Sequence, residues 1–331
     1  MPLPTNTMMH QDAPLQTMTI NVMQEDDAFI LMKSTEGSVE EVDHKSNTYY
    51  VFDDGDWNRM EMQPRGPSEE SHGSGWRLST DSYSCSRYAC HKDWDISDAA
   101  NADEAVADVD AQAELYLANQ GRIYGDYLMS QEVFAAGVWT SDDLDGTTST
   151  VTVGTNFKQW DDSSGDPQAD CLEYSQRIAG RIGHEANTFI AGAVTHSRLL
   201  RQSVIRTAMQ STVIPTKQAV RDILAAYLGV DNYFVARAFR NTAAENATKT
   251  YEYICDSKAA WLGYVSPNSG PQTMSAYKLF AYKQNGAASK GIIVRTFEIP
   301  TKTTIRHEIE AHWDVKVIAA EAGCFFDAAV S

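Results

Sequence analysis

The sequence has little with which to grip phosphate. Lys and Arg number 27 against 45 Asp and Glu, a net charge of −18. Tight nucleic-acid binding rests on basic residues neutralising the backbone, so any contact with DNA is expected to be non-specific. Tryptophans 57, 76, 94, 139, 160, 261 and 313 are not interleaved with basic residues as a stacking platform requires. Long apolar runs are missing too. No window approaches the roughly eighteen apolar residues of a membrane span, and no membrane partner is expected. The opening "MPLPTNTMMHQDAPLQTMTI" has no basic start and no continuous apolar stretch, so it does not read as a signal peptide. Cysteine is sparse. Cys85, Cys90, Cys171, Cys255 and Cys324 are odd in number and scattered, which excludes a disulfide framework and fits free thiols in a reducing cytoplasm.

The usual catalytic signatures are absent as well. There is no G-x-x-x-x-G-K-[ST] loop and no G-x-S-x-G elbow, and "HGSGW" lacks the third glycine of a dinucleotide fold. The nearest approach is "TIRHEIEAHWDVKVIAA", with His307, Glu308 and His312. A zincin needs its histidines at i and i+4. At i and i+5 they stand about 140° apart on a helix and on opposite faces of a strand. The stretch alternates: His307, Ile309, Ala311, Trp313 and Val315 on one parity, Glu308, Glu310, His312, Asp314 and Lys316 on the other. That is a half-buried strand, with His307 facing the core and His312 in a charged row. "CSRYACH" supplies Cys85, Cys90 and His91, but no second cluster completes a site. No catalytic, metal or cofactor residue is nominated. A metal-dependent hydrolase using His307, Glu308 and His312, or Cys85, Cys90 and His91, stands as the alternative from a different functional class.

What is present is an α+β pattern of helices and mostly antiparallel strands. Residues 1 to about 28 are polar and aperiodic and read as an extended arm. "AFILMK" (Ala28–Lys33) reads as a short strand. Strand-like pieces at Thr48–Phe52 and Trp57–Met62 flank a turn at Asp53–Asp56, followed by a Gly-, Pro- and Ser-rich stretch. An isolated two-stranded ribbon is marginal in water, so this one makes sense as a protrusion supported by a partner. Residues 101–137 form the clearest helix, with Asn101 and Glu104 at capping-box spacing, one apolar stripe, and Gly121 and Gly125 as points of bending or interruption. "SDDLDG" (Ser141–Gly146) reads as a turn and "TVTVG" as a strand. A helix opens at Pro167, capped by Asp166. A buried strand "NTFIAGAV", a helix "THSRLLRQSVIRTAM" and a helix ending at Gly229 follow. The strands of the last hundred residues close the chain.

In order and spacing these segments resemble the major capsid protein of a tailed bacteriophage, with the Hong Kong 97-type shell fold. "KQWDDSSGDPQADCLEYSQRI" is similar to that family's Trp, Asp-Pro and amphipathic helix, here Trp160, Asp166 and Pro167. "EANTFIAGAVTHSRLL" resembles its P-N-T plus apolar strand: Asn187, Thr188, Gly192 and Val194 match, with Ala186 in place of proline. "ILAAYLGVDNYFVARAFRNTA" and "AAWLGYV" resemble the following helix and strands. Ala322-Gly323 in the closing segment stands at the family's near-terminal alanine-glycine. The match is good from about 150 to 331 and weaker before.

The resemblance implies an N-terminal arm at 1–43 and an extended loop at 44–80. It implies a peripheral domain at 81–159 containing the spine helix 101–137, an axial domain at 160–300, and a C-terminal strand at 301–331 returning to the peripheral and axial sheets. It implies a structural protein, without enzymatic activity or cofactor, that assembles with copies of itself into pentamers and hexamers of an icosahedral shell around double-stranded DNA. Such a chain would reside in the virion after assembly in the host cytoplasm, with a scaffolding protein, a portal and a decoration protein as further partners. The short arm leaves no room for a cleaved scaffolding segment, so a separate scaffold or none is expected. Lys45 is the one lysine of the loop, so Lys–Asn cross-linking is not expected. Contacts across the loop fall to Tyr49, Tyr50, Trp57, Arg59, Met60, Arg65 and Trp76, since interfaces favour aromatic side chains and Arg. An encapsulin-like compartment, which shares the fold and encloses protein cargo, is the alternative within the same class.

Overall fold

The computed structural model describes residues 24–52, 54–96, 109–140, 142–210, 216–268, 270, 273–284 and 289–331. The arm before residue 24, the cap at Asn101 and Glu104 and the turn residue Asp53 lie outside the described residues. Two sheets organise the rest. A five-stranded sheet runs β1 (Val39–Val42), β12 (Tyr277–Tyr282), β14 (Thr304–Val317) and β13 (Ile292–Ile299), with β4 (Ser86–Asp95) on the other edge of β14. A six-stranded sheet runs β6 (Asn156–Lys158), β5 (Asp143–Thr147), β15 (Gly323–Asp327), β11 (Ala260–Gly263), β7 (Thr188–Gly192) and β8 (Asn232–Ala236). Two ribbons stand apart from them: β2 (Ser46–Phe52) with β3 (Leu78–Ser84), and β9 (Phe239–Asn241) with β10 (Tyr251–Tyr253).

The sheets are not contiguous in sequence. β5 and β6 precede residue 160 yet belong to the six-stranded sheet, and β12 and β13 precede residue 301 yet belong to the five-stranded one. The divisions expected at 159/160 and 300/301 therefore do not separate the two sheets. Residues 301–331 hold two strands, β14 and β15, one in each sheet. Burial decides this pairing. β7 and β11 are buried along their whole length, so each needs neighbours on both edges and cover on both faces, and the chain supplies these from distant segments.

The long helix spans Val109–Glu132 rather than reaching 137. Its last turn closes on Met129, whose carbonyl accepts from both Val133 and Phe134. The indole of Trp139 caps the carbonyl of Val133 at 2.7 Å. Burying Val133, Phe134 and Trp139 turns the chain away before Gly137, which takes a left-handed φ of 82°. Gly121 and Gly125 do not interrupt the helix. They let it approach β14. A Cβ on Gly125 would lie 3.0 Å from Leu31 Cδ2 and 3.4 Å from the Trp313 ring, and one on Gly121 would lie 3.3 Å from Ile309 Cδ1.

Other sequence expectations shift for local reasons. "AFILMK" is buried but helical: a 3-10 turn at Asp26–Ala28 and one α-turn at Leu31–Ser34. Short apolar runs do not distinguish strand from helix. "SDDLDG" carries strand β5 rather than a turn, and the neighbouring strand falls on Asn156–Lys158 rather than on "TVTVG". The helix expected over "THSRLLRQSVIRTAM" is two, Ala193–Leu199 and Ser203–Gln210. The helices Pro167–Ile182 and Lys217–Leu228 form where expected. Asp166 accepts from the N–H groups of Gln168 and Ala169, Thr216 caps the second helix, and Gly183 and Gly229 end them with φ of 75°. Each cap contributes about 1 kcal/mol.

Candidate intersubunit surface

The ribbon β2–β3 stands outside both large sheets. Its register runs from Ser46 opposite Ser84 to Phe52 opposite Leu78. The second strand is thus Leu78–Ser84 and not the expected Trp57–Met62, where one helical turn (Asp54–Trp57) precedes irregular chain. Residues 58–62 have no buried side to zip against: Met60 is 93% exposed.

The base of the ribbon is riveted to the five-stranded sheet. Tyr83 stacks on Phe280 with ring centroids 4.7 Å apart, and Tyr49 lies against the same ring at 5.7 Å. The Tyr49 hydroxyl donates to Asp81 Oδ2 at 2.7 Å, and Lys316 Nζ donates to Asp81 Oδ1 and to the Ser82 carbonyl, both at 2.6 Å. Ser84 N–H donates to Asp314 Oδ2 at 2.8 Å. Desolvation alone would raise the Asp81 carboxyl. The hydrogen bonds from Lys316 and Tyr49 outweigh it and hold the group below its usual range. Burial, with Asp81 alongside, pushes the Tyr49 phenol up. Tyr49 therefore serves its own chain instead of presenting a free face.

Beyond the base the picture reverses. Tyr50 is 70% and Trp76 63% exposed, and Met62 and Leu78 are exposed as well. The tip is braced by charge. Asp56 accepts from Arg59 at 2.9 Å and from the backbone N–H and Nε of Arg77, both at 3.0 Å. The Arg77 hydrogen bond is the main cause of the lowered Asp56 carboxyl. Arg65 Nε donates to the Glu69 carbonyl, and Glu69 Oε2 accepts from Gly66 N–H at 2.9 Å. Of the seven expected contact residues, Tyr50, Met60 and Trp76 thus present apolar surface, Arg59 and Arg65 shape the tip, and Tyr49 anchors the base. The Trp57 side chain lies outside the described set. Sequence reasoning missed the exposed Met62 and Leu78, and the aromatic residues Phe239, Tyr251 and Tyr253 exposed on β9–β10. The alternation in "YEY" is the one signal that pointed to the latter.

The residues singled out by the resemblance are structural. Trp160 is buried among Phe157, Phe189 and Phe326 and donates to Asp170 Oδ2 at 2.9 Å. Thr188 Oγ1 donates to Asn187 Oδ1 at 3.0 Å. A Cβ on Gly192 would lie 2.4 Å from the Ser257 carbonyl oxygen, and one on Gly323 would lie 2.4 Å from the Trp139 ring. Asp166 and Pro167 open their helix.

The histidines of β14 have other work than metal binding. His307 is buried as expected and meets the long helix, with Nδ1 3.1 Å from Thr296 Oγ1 and Nε2 2.8 Å from Asp110 Oδ1. His312 is not in an open charged row: it is buried with Glu310, 2.5 Å from Nε2 to Oε1, and Arg87 reaches the same carboxylate at 2.6 Å. Desolvation would raise the Glu310 carboxyl, but Arg87 and His312 hold it down. Burial pushes the Cys85 thiol up to about 12 and raises that of Cys90. Among the described residues no group of three or more His, Cys, Asp or Glu is placed to hold a metal ion, and no helix is long and apolar enough to cross a membrane.

No family model matches the chain, and no curated protein matches it. Solved structures do. A phage-related protein from Bordetella bronchiseptica RB50 superposes with a TM-score of 0.65 at 16% identity, over 92% of this chain and 94% of that one. The capsid of the cyanophage P-SCSP1u gives 0.53 at 9% identity, over 95% and 93%. The holo-SrpI encapsulin of Synechococcus elongatus gives 0.53 at 13% identity, over 99% and 96%. Similarity this low in sequence and this complete in length establishes the fold: the chain has the Hong Kong 97-type shell fold, α+β as expected.

Proposed function

We propose that this chain is the major capsid protein of a tailed bacteriophage, a structural subunit that assembles with copies of itself into the pentamers and hexamers of an icosahedral shell around double-stranded DNA. The observation that carries this reading is the ribbon. It is fixed at its base to β12 and β14, it carries exposed Tyr50, Met60, Met62 and Trp76, and it belongs to a fold shared with capsids. A ribbon of this kind gains apolar and hydrogen-bond partners on a neighbouring copy, and closed symmetry makes many small contacts cumulative. In this reading the five-stranded sheet with the long helix is the peripheral domain, the six-stranded sheet is the axial domain, and residues 44–80 are the extended loop. The role is architectural and not catalytic. The acidic surface suits a wall that must not bind packaged DNA tightly. The site of action is the virion, after assembly in the host cytoplasm with a scaffold, a portal and a decoration protein.

The encapsulin reading is kept by one finding, the full-length likeness to an encapsulin structure. Particles purified after expression separate the two: nucleic acid packaged through a portal supports the capsid, and a co-purifying protein cargo supports the compartment. The first test is electron microscopy of the chain expressed alone and fractionated by size. Closed shells, tubes or capsomer rings are expected, and deletion of residues 44–80 abolishes closure. A compact monomer at high concentration, with and without a co-expressed scaffold, would overturn the proposal.

A further inference from the structure

Residues 24–34 form a strap laid between the long helix and the rest of the body. Gln24 exchanges two hydrogen bonds with the backbone of Phe239, at 2.7 and 3.0 Å. Glu25 pairs with Arg237 at 2.8 Å and Lys217 at 3.3 Å, and Asp27 with Arg221 at 3.2 Å. Asp26 pairs with Arg122 of the long helix. The apolar residues Phe29, Ile30 and Leu31 are then buried.

At the point where the strap turns into the helix Leu31–Ser34, its own N-cap residue, Ile30, has no side chain able to cap it. The cap comes from elsewhere. Asp126, in the long helix, accepts from Leu31 N–H at 2.9 Å and from Ile30 N–H at 3.1 Å to each oxygen. The carboxyl is buried, and among the described residues no Lys, Arg or His forms an ion pair with it. What faces it from the strap is backbone N–H. From the segment around Ile254 the titratable neighbour is the Cys255 thiol, itself raised by burial. On its own helix, Arg122 is engaged by Asp26.

We propose that Asp126 is a protonation-dependent latch that sets how tightly residues 24–34 are held to the long helix. A buried carboxylate without a counter-ion is costly, and desolvation outweighs the backbone hydrogen bonds, pushing the group up to about 7. With the strap lifted, water reaches the carboxyl and its ordinary value returns. The docked state thus holds a proton that the lifted state does not. Docking tightens as pH falls through 7 and loosens as pH rises through it. The Asp27 carboxyl is lowered chiefly by Lys33, so its pairs persist across the same range.

The test is hydrogen–deuterium exchange of the full chain from pH 8.5 to 5.5, corrected for intrinsic exchange rates. A peptide covering residues 28–36 should gain about thirtyfold in protection on acidification, while one covering 167–182, on a helix away from the strap, stays level. In Asp126→Asn, which keeps a carbonyl acceptor and loses the titration, the strap response is flat. A level strap in the unmodified chain, an equal gain in both peptides, or a gain that survives in Asp126→Asn would each overturn the latch. The first two outcomes need no variant, so the proposal remains testable if the substitution does not fold.

Discussion

Asn187 and Val265, 78 residues apart, are joined by two reciprocal hydrogen bonds: the amide Nδ2 donates to the Val265 carbonyl at 2.8 Å, and Val265 N–H donates to Oδ1 at 2.9 Å. The side chain imitates one rung of a strand where β7 begins and β11 has just ended. The Asn187 carbonyl also accepts from Asp231 and Asn232, so one residue ties three segments of the six-stranded sheet. Asn187→Ala leaves a carbonyl and an N–H without partners in a half-buried site, at a cost of about 1–3 kcal/mol. Urea denaturation should show a lower midpoint with an unchanged slope. An unaltered midpoint would refute the role.

Gly323 lies under the Trp139 ring, and the Gly323→Ala methyl would sit 2.4 Å from it. Trp139 is itself packed on Trp261, so the ring has little room to retreat. The expected loss is about 1–3 kcal/mol, read as a drop in Tm. Trp139→Phe combined with Gly323→Ala should recover part of it, because the smaller ring vacates the space.

Tyr50 and Trp76 are more than half exposed on the ribbon. The double variant Tyr50→Ser, Trp76→Ser should leave the unfolding free energy of unassembled subunits within about 1 kcal/mol of the unmodified chain. Assembly, followed by light scattering against concentration, should need markedly more protein. Equal assembly would remove these side chains from the interface.

His196 supplies a pH test. Burial, with Arg221 and Arg237 behind it, lowers its value to about 4, and Nδ1 lies 2.9 Å from the Tyr233 hydroxyl. A base depressed in the folded state is neutral there and protonates on unfolding. The stability it contributes is present above the unfolded value near 6.5 and is lost as pH falls towards 4, by up to about 3 kcal/mol. His196→Gln should flatten this segment of the stability–pH curve. A variant curve parallel to the original between pH 6.5 and 4 would refute the assignment.

Where neighbours in sequence decide the outcome, the residues speak plainly. Asp166 with Pro167, and the run from Thr216 to Gly229, carry their own start and stop chemistry, and β14 is legible as a strand although Ile309–Trp313 is buried on both faces rather than alternating. The ribbon was legible as two strands near residues 48–62 but not in its pairing, because Leu78–Ser84 is matched to Ser46–Phe52 beside the ring of Phe280 and Lys316, both distant in sequence. "AFILMK" became helical because a carboxylate from the long helix caps it. The glycines at 121 and 125 look like interruptions until Leu31, Ile309 and Trp313 are set against them. The buried state of Glu310 and His312 depends on Arg87, brought alongside by β4, and no pattern within "HEIEAH" contains it.

β14 carries the long helix on one face and, at its far end, Asp314 and Lys316 under the foot of the ribbon. It is hydrogen-bonded along both edges, to β4 on one side and to β13 and β12 on the other. A one-residue slip would send every side chain to the wrong face, so the register of the strand is fixed. The foot of the ribbon, the edge partners of β14 and the glycine-lined face of the helix thus all take their position from one strand whose register is fixed.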